Sequence, residues 1–148
     1  MKFFFMPVFM VLFIAGCSGT VPSNIGIFKG KLTQCPESPN CISSQSIDKK
    51  HFIEPINYSG SKSESYSFLI LAIKSIKGSK IITKQENYIH AEFTSRVFKF
   101  VDDTEFLFDD NDLKIDVRSA SRKGYYDFGA NRKRIEKIRK SFDKQVTD

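Results

Sequence analysis

Tryptophan is absent from the chain, so the bulky part of any core falls to its fifteen phenylalanines. Histidine occurs only at His51 and His90, far apart in sequence. A metal centre needs three or four ligands at set spacings, and no third partner is visible, so no metal is expected. Cysteine occurs three times, and Cys35 and Cys41 are not spaced as a C-x-x-C pair, which argues against a redox couple or half of a zinc site. Internal repeats and low-complexity tracts are also missing. No nucleotide or cofactor fingerprint appears, and no cofactor is expected. The net charge of +6 is mild and spread along the chain, which suits anionic surfaces but is too weak for a nucleic-acid partner. What remains is ordinary globular composition, 41% hydrophobic and 14% aromatic.

The N-terminus is the most informative stretch. Lys2 provides a positive start, and Phe3 to Ile14 is almost wholly apolar but interrupted by Pro7. Such a run is shorter than the roughly 20 residues a membrane-spanning helix needs, so a cleaved leader is expected. Ile14-Ala15-Gly16-Cys17 resembles a bacterial lipobox, which implies diacylglycerol on the Cys17 sulfur and an acylated new N-terminus. Ser18 stands where inner-membrane retention usually shows Asp, which by resemblance to sorted lipoproteins implies an outer-membrane lipoprotein facing the periplasm. Export places Cys35 and Cys41 in an oxidising compartment, where a close pair becomes a disulfide. The expected divisions are a signal peptide over 1–16, a lipid-anchored tether over 17–33 and one domain over 34–148.

Periodicity predicts an α+β domain, an antiparallel β-meander with helices packed on one face. Phe68, Leu69, Ala72, Ile73 and Ile76 recur at helical spacing and predict a helix over 65–77, stopped by Gly78. Residues 80–85 and 88–100 read as strands, the second broken near Ser95-Arg96 where apolar parity switches. Phe106 and Phe108 are expected to face the core from the next strand, before a hairpin turn at Asp110-Asn111. That turn would set Phe108 opposite Leu113, Phe106 opposite Ile115, and Asp103 opposite Arg118 as an ion pair, with Glu105 beside Asp116. Phe128, Ile135, Ile138 and Phe142 form the apolar stripe of a basic C-terminal helix.

Three stretches together resemble one family. They are Cys35-Pro36-Glu37-Ser38-Pro39-Asn40-Cys41 with Ile42-Ser43-Ser44, Tyr88 to Phe93 running on to Phe100–Phe106, and Val117 to Tyr125 with Asn131 to Ile135. In that order they resemble domain-of-unknown-function family 1499, over Leu32 to Phe142. Phe128 and Ala130 are conservative departures. The resemblance implies an envelope or organelle protein, often lipid-anchored or membrane-fused, with no established activity.

Several constellations invite chemistry. His90 and Glu92 share one strand face, where a solvated sheet surface is the expected setting. Ser119 and Ser121, with His90 as base and Asp103 as orienter, sketch a hydrolase, but no G-x-S-x-G elbow surrounds them. The stronger hint is basic: nine Lys or Arg residues stand between Val117 and Lys140 against only Asp127 and Glu136. Arg118 and Arg122 leave a strand while Arg132 and Arg134 open a helix, so a folded-back loop would converge four guanidinium groups on one anion. The expected function is therefore a lipid-anchored periplasmic protein, held to the membrane by its anchor, that binds an anionic lipid or cell-wall component. An enzyme acting on envelope lipid or polymer, and a structural partner of another envelope protein, are the alternatives. Oligomeric state leaves no mark in the sequence.

Overall fold

The computed structural model describes residues 19–147. The leader and Cys17 lie outside them. In chain order the elements are β1 (Ile27–Phe28), β2 (Lys31–Leu32), β3 (Cys41–Ser43), β4 (Ile56–Asn57), α1 (Lys62–Ser75), β5 (Ser79–Lys84), β6 (Tyr88–Thr94), β7 (Val101–Asp109), β8 (Lys114–Ser121) and α2 (Ala130–Thr147). β1 and β2 form a small hairpin. The main sheet runs β3-β8-β7-β6-β5, antiparallel throughout, with β4 also paired to β8.

Alternation decides the two faces of this sheet. Ile89, Ala91, Phe93, Phe106, Phe108, Ile115 and Val117 point to one side. There they form a single core with Leu69, Ala72 and Ile73 of α1 and Ile135, Ile138 and Phe142 of α2. Both helices thus cover the same face, and the fold is α+β.

Helix α1 starts three residues earlier than its apolar spacing suggests, because Ser61 caps it. The Ser61 hydroxyl accepts from the Glu64 amide at 3.2 Å and donates to the Glu64 carboxylate at 2.7 Å. It ends before Gly78, whose φ of +84° turns the chain into β5. Helix α2 is capped by Asp127, which accepts from the amides of Gly129 and Asn131. Phe128 therefore precedes the helix at φ +54° and is 82% exposed, so it does not belong to the apolar stripe. The parity switch after Ser95 marks the end of β6: Phe98 and Phe100 sit in an exposed loop.

The hairpin turns where expected, but its register is two residues off. Phe108 pairs with Ile115, Phe106 with Val117 and Glu105 with Arg118, while Asp103 faces Ala120. The loop takes four residues, Asp110 to Leu113, with Leu113 at φ +50°. A shift of two keeps every side chain on its face and changes every partner.

Cys35 and Cys41 are joined in a disulfide. The segment before it packs on the sheet face that the helices leave open. Gly19 lies beside Arg122, and Gly26 donates to Glu105 in the middle of β7 at 2.6 Å. Leu32 is buried with Tyr88 and Leu107. Gly26 and Leu32 thus hold this segment to the sheet.

Candidate functional site

The face under this segment carries charge where the helix face carries hydrocarbon. Neighbouring strands set His90 opposite Glu105 and Glu105 opposite Arg118, and they set Glu92 opposite Asp103. His90 is 3% exposed, Asp103 1%, Glu105 0% and Arg118 2%, so the solvated surface expected for His90 is instead an interior layer. Burying such groups is tolerated only when each charge has close partners.

The partners are present. Glu105 accepts from Arg118 at 2.8 Å, from the Tyr88 hydroxyl at 2.8 Å and from the Gly26 amide. Asp103 bonds to His90 Nε2 at 2.8 Å and receives the Arg122 guanidinium as a fork, at 2.7 and 2.8 Å. Arg122 also donates to Glu92. At the far end of the layer, Asp116 accepts from Ser44 and Gln45 at 2.7 Å each. Arg118 Nε is buried without an acceptor among the described residues.

These contacts set the protonation states. Burial pushes the Asp103 carboxyl up, but the Arg122 and His90 bonds outweigh it and hold the carboxyl below its ordinary value. Burial, reinforced by Glu105, pushes the Tyr88 phenol up and keeps it a donor. The Asp103 bond strengthens the hold of Arg122 on its proton. Glu92, Asp103, Glu105 and Asp116 share this layer with two guanidinium groups, Arg118 and Arg122. The layer is therefore not electropositive.

A cleft of about 330 Å³ opens beside it, between the N-terminal segment and the sheet, with Asn24, Asn40, Asp103, Arg118 and Arg122 in its wall. His90 and Asp103 form a couple of the base-and-orienter kind, but among the described residues no serine completes it. Ser119 and Ser121 sit at odd positions of β8, on the helix side. There Ser119 bonds to Thr104 at 2.9 Å, to Asn131 at 2.6 Å and to Arg134 at 3.1 Å. Ser121 accepts from Asn131 at 3.0 Å. The hydrolase sketch is thus split by the thickness of the sheet. Among the described residues no three His, Cys, Asp or Glu side chains are grouped as a metal site would need.

The four arginines do not converge either. Arg118 and Arg122 belong to the buried layer. Arg134 is on the other face, paired with Asp102 and stacked 4.9 Å over the Phe93 ring. Arg132 is exposed and donates to the Phe52 carbonyl at 2.7 Å. Three of the four are spent on carboxylates within the domain. Tyr88, Asp102 and Asn131 complete these networks and were missed in the sequence, while Glu105 was expected beside Asp116 and stands opposite Arg118.

Part of the unpaired positive charge gathers at one end of the sheet. Lys77, Arg96, Lys99, Lys123, Lys133 and Lys137 have no carboxylate partner among the described residues. Four of them, with Ile76 and Phe93, line a cleft of about 320 Å³ between the start of α2 and the end of β6.

An antiparallel sheet with two helices on one face and a strapped, charged layer on the other defines the class, an α+β fold. Residues 31–142 match the family described as Protein of unknown function (DUF1499), and the chain belongs to it. No curated protein matches the chain.

Proposed function

We propose that this is a lipid-anchored envelope protein, acylated at Cys17 and facing the periplasm from the outer membrane, that binds an anionic envelope component rather than transforming it. The observation that supports binding is the cleft lined by Lys77, Arg96, Lys133 and Lys137, cations that no carboxylate of the described residues neutralises. Phosphate or carboxylate groups at such a site gain several charge-assisted donors without breaking an existing pair. The role first assigned to Arg118, Arg122 and Arg134 passes to these side chains, because those three arginines are already engaged. The enzyme alternative has the buried His90–Asp103 couple in its favour and, among the described residues, lacks a serine bonded to it.

The test is native mass spectrometry of the full chain extracted from its own membrane. The expected result is an acylated mature protein carrying an anionic ligand. The Lys133→Glu/Lys137→Glu variant should lose that ligand, while Lys49→Glu/Lys50→Glu, in a separate exposed loop, should keep it. Equal ligand occupancy in both variants would sink the binding site, and a mature protein without acyl mass would sink the anchor.

A further inference from the structure

The two exposed aromatic loops of the domain leave the sheet side by side. One spans 95–100, between β6 and β7, and the other spans 122–129, between β8 and α2. The Arg122 amide donates to the Val101 carbonyl at 3.2 Å, so the second loop starts where the first one ends. Six of the fourteen large apolar side chains exposed among the described residues belong to them: Val97, Phe98, Phe100, Tyr125, Tyr126 and Phe128. Of the other eight, Ile27 and Phe28 adjoin in β1 and six are dispersed singly along the chain, and such singles are ordinary. A cluster of six is not, because aromatic side chains held in water mark a surface that is covered in use.

The rings pack on each other and not on the core. Phe98 and Phe100 stack at 5.6 Å, and Tyr126 meets Phe128 edge-on at 5.2 Å. Lys99 and Phe128 adopt φ +55° and +54°, a region that L residues rarely occupy. The first loop carries no acidic residue. The second has Asp127 alone, and its carboxylate is occupied capping α2. Arg96, Lys99 and Lys123 alternate with the rings and have no carboxylate partner among the described residues. Aromatic rings between basic side chains are the composition that seats a protein at the headgroup level of an anionic bilayer.

The course of the chain points to the same occupant. Gly19 packs against the second loop: a methyl group placed on it would lie 3.2 Å from Arg122 Cβ and 3.6 Å from Lys123 Cε. Cys17 is two residues upstream, and two residues of chain span at most about 7 Å. An acylated Cys17 therefore delivers the bilayer to this end of the domain, and not to the β7–β8 turn at the other end.

We propose that the aromatic loops 95–100 and 122–129 form a membrane-docking surface, seated on the anionic lipid that holds the Cys17 anchor. The anchor supplies residence in the membrane, and the loops fix orientation. The β7–β8 turn points away from the bilayer. This rests on the anchored reading above, but it can fail separately.

Because the chain has no tryptophan, a single one reports on its own loop. Phe98→Trp, Phe128→Trp and Asn111→Trp, the last in the far turn, are made in the full chain and purified from the membrane. They are reconstituted in phosphatidylethanolamine/phosphatidylglycerol vesicles with and without brominated acyl chains. Seating at the headgroup–acyl boundary, about 5–10 Å deep, is expected to blue-shift the indole emission of the Phe98→Trp and Phe128→Trp variants and quench it at least about twofold, with no change in Asn111→Trp. Lys99→Glu/Lys123→Glu in the same reporters should abolish the quenching. Intact mass of the same samples reads the anchor independently. Acylated protein with equal emission from all three reporters overturns docking and leaves the anchor. Quenching in protein without acyl mass removes the anchor and leaves docking. Quenching that survives the Lys99→Glu/Lys123→Glu change overturns the role given to charge, and loops shielded by cell-wall fragments but not by vesicles overturn the bilayer as occupant.

Discussion

Glu105 and Arg118 face each other across the two central strands and meet at 2.8 Å, both closed off from water. Neither could be buried alone. Arg118→Met should therefore cost about 3–5 kcal/mol, the typical penalty for leaving half of a buried pair. Thermal unfolding measures it. If Glu105→Gln is added, part of the loss should return, because the stranded carboxylate is gone; a double variant no better than the single would refute the pair.

Arg122 and Arg132 separate structural from surface charge. Arg122→Ala removes a forked donor from Asp103 and a partner from Glu92, and is expected to destabilise by about 2–4 kcal/mol. Arg132→Ala, exposed and bound to one carbonyl, should cost less than about 1 kcal/mol. Denaturant midpoints of the two variants compare them directly.

Stability should fall at both ends of the pH scale, for different residues. Asp103 titrates below its ordinary 3.8 in the folded chain. Its contribution is complete above that value and is lost as pH falls through the native one. Asp103→Asn should flatten this acid limb. Tyr58 is pushed up from 10.0 to about 12 by burial and by its bond to Asp110. Its contribution is complete below pH 10 and is lost as pH rises toward 12, so Tyr58→Phe should flatten the alkaline limb. Unfolding free energies across pH would show both slopes.

The Cys35–Cys41 bridge closes a small loop, with a sequence separation of 6. Chain-entropy arguments give such a loop about 2 kcal/mol. Reduction should lower the melting temperature by several degrees without unfolding the sheet. Loss of all secondary structure on reduction would contradict this.

The apolar half of the fold was readable because it repeats. Leu69, Ala72 and Ile73 recur at helical spacing, and Phe106 and Phe108 alternate, so their faces followed from period alone. The partners did not. A turn of four residues and a turn of two leave Phe106 on the same face, yet only the former brings Arg118 to Glu105. The setting of this face was out of reach for another reason: the segment bonded to Glu105 through Gly26 lies far earlier in the chain, and alternation carries no record of distant cover. The four arginines misled because a guanidinium looks the same whether it meets a ligand or Asp103.

Residues 19–32 also determine how the domain would bear load. A pull on the N-terminus runs along this segment and first reaches the Gly26–Glu105 bond and the bond from the Leu32 amide to Gln45. Only after those yield does tension arrive at β3 and the long ladders behind it, past the disulfide at Cys35 and Cys41. Tugging would thus lift the strap from the charged layer and let water in while the helix-side core stays assembled. The polar face is the part of this protein that gives way first under force.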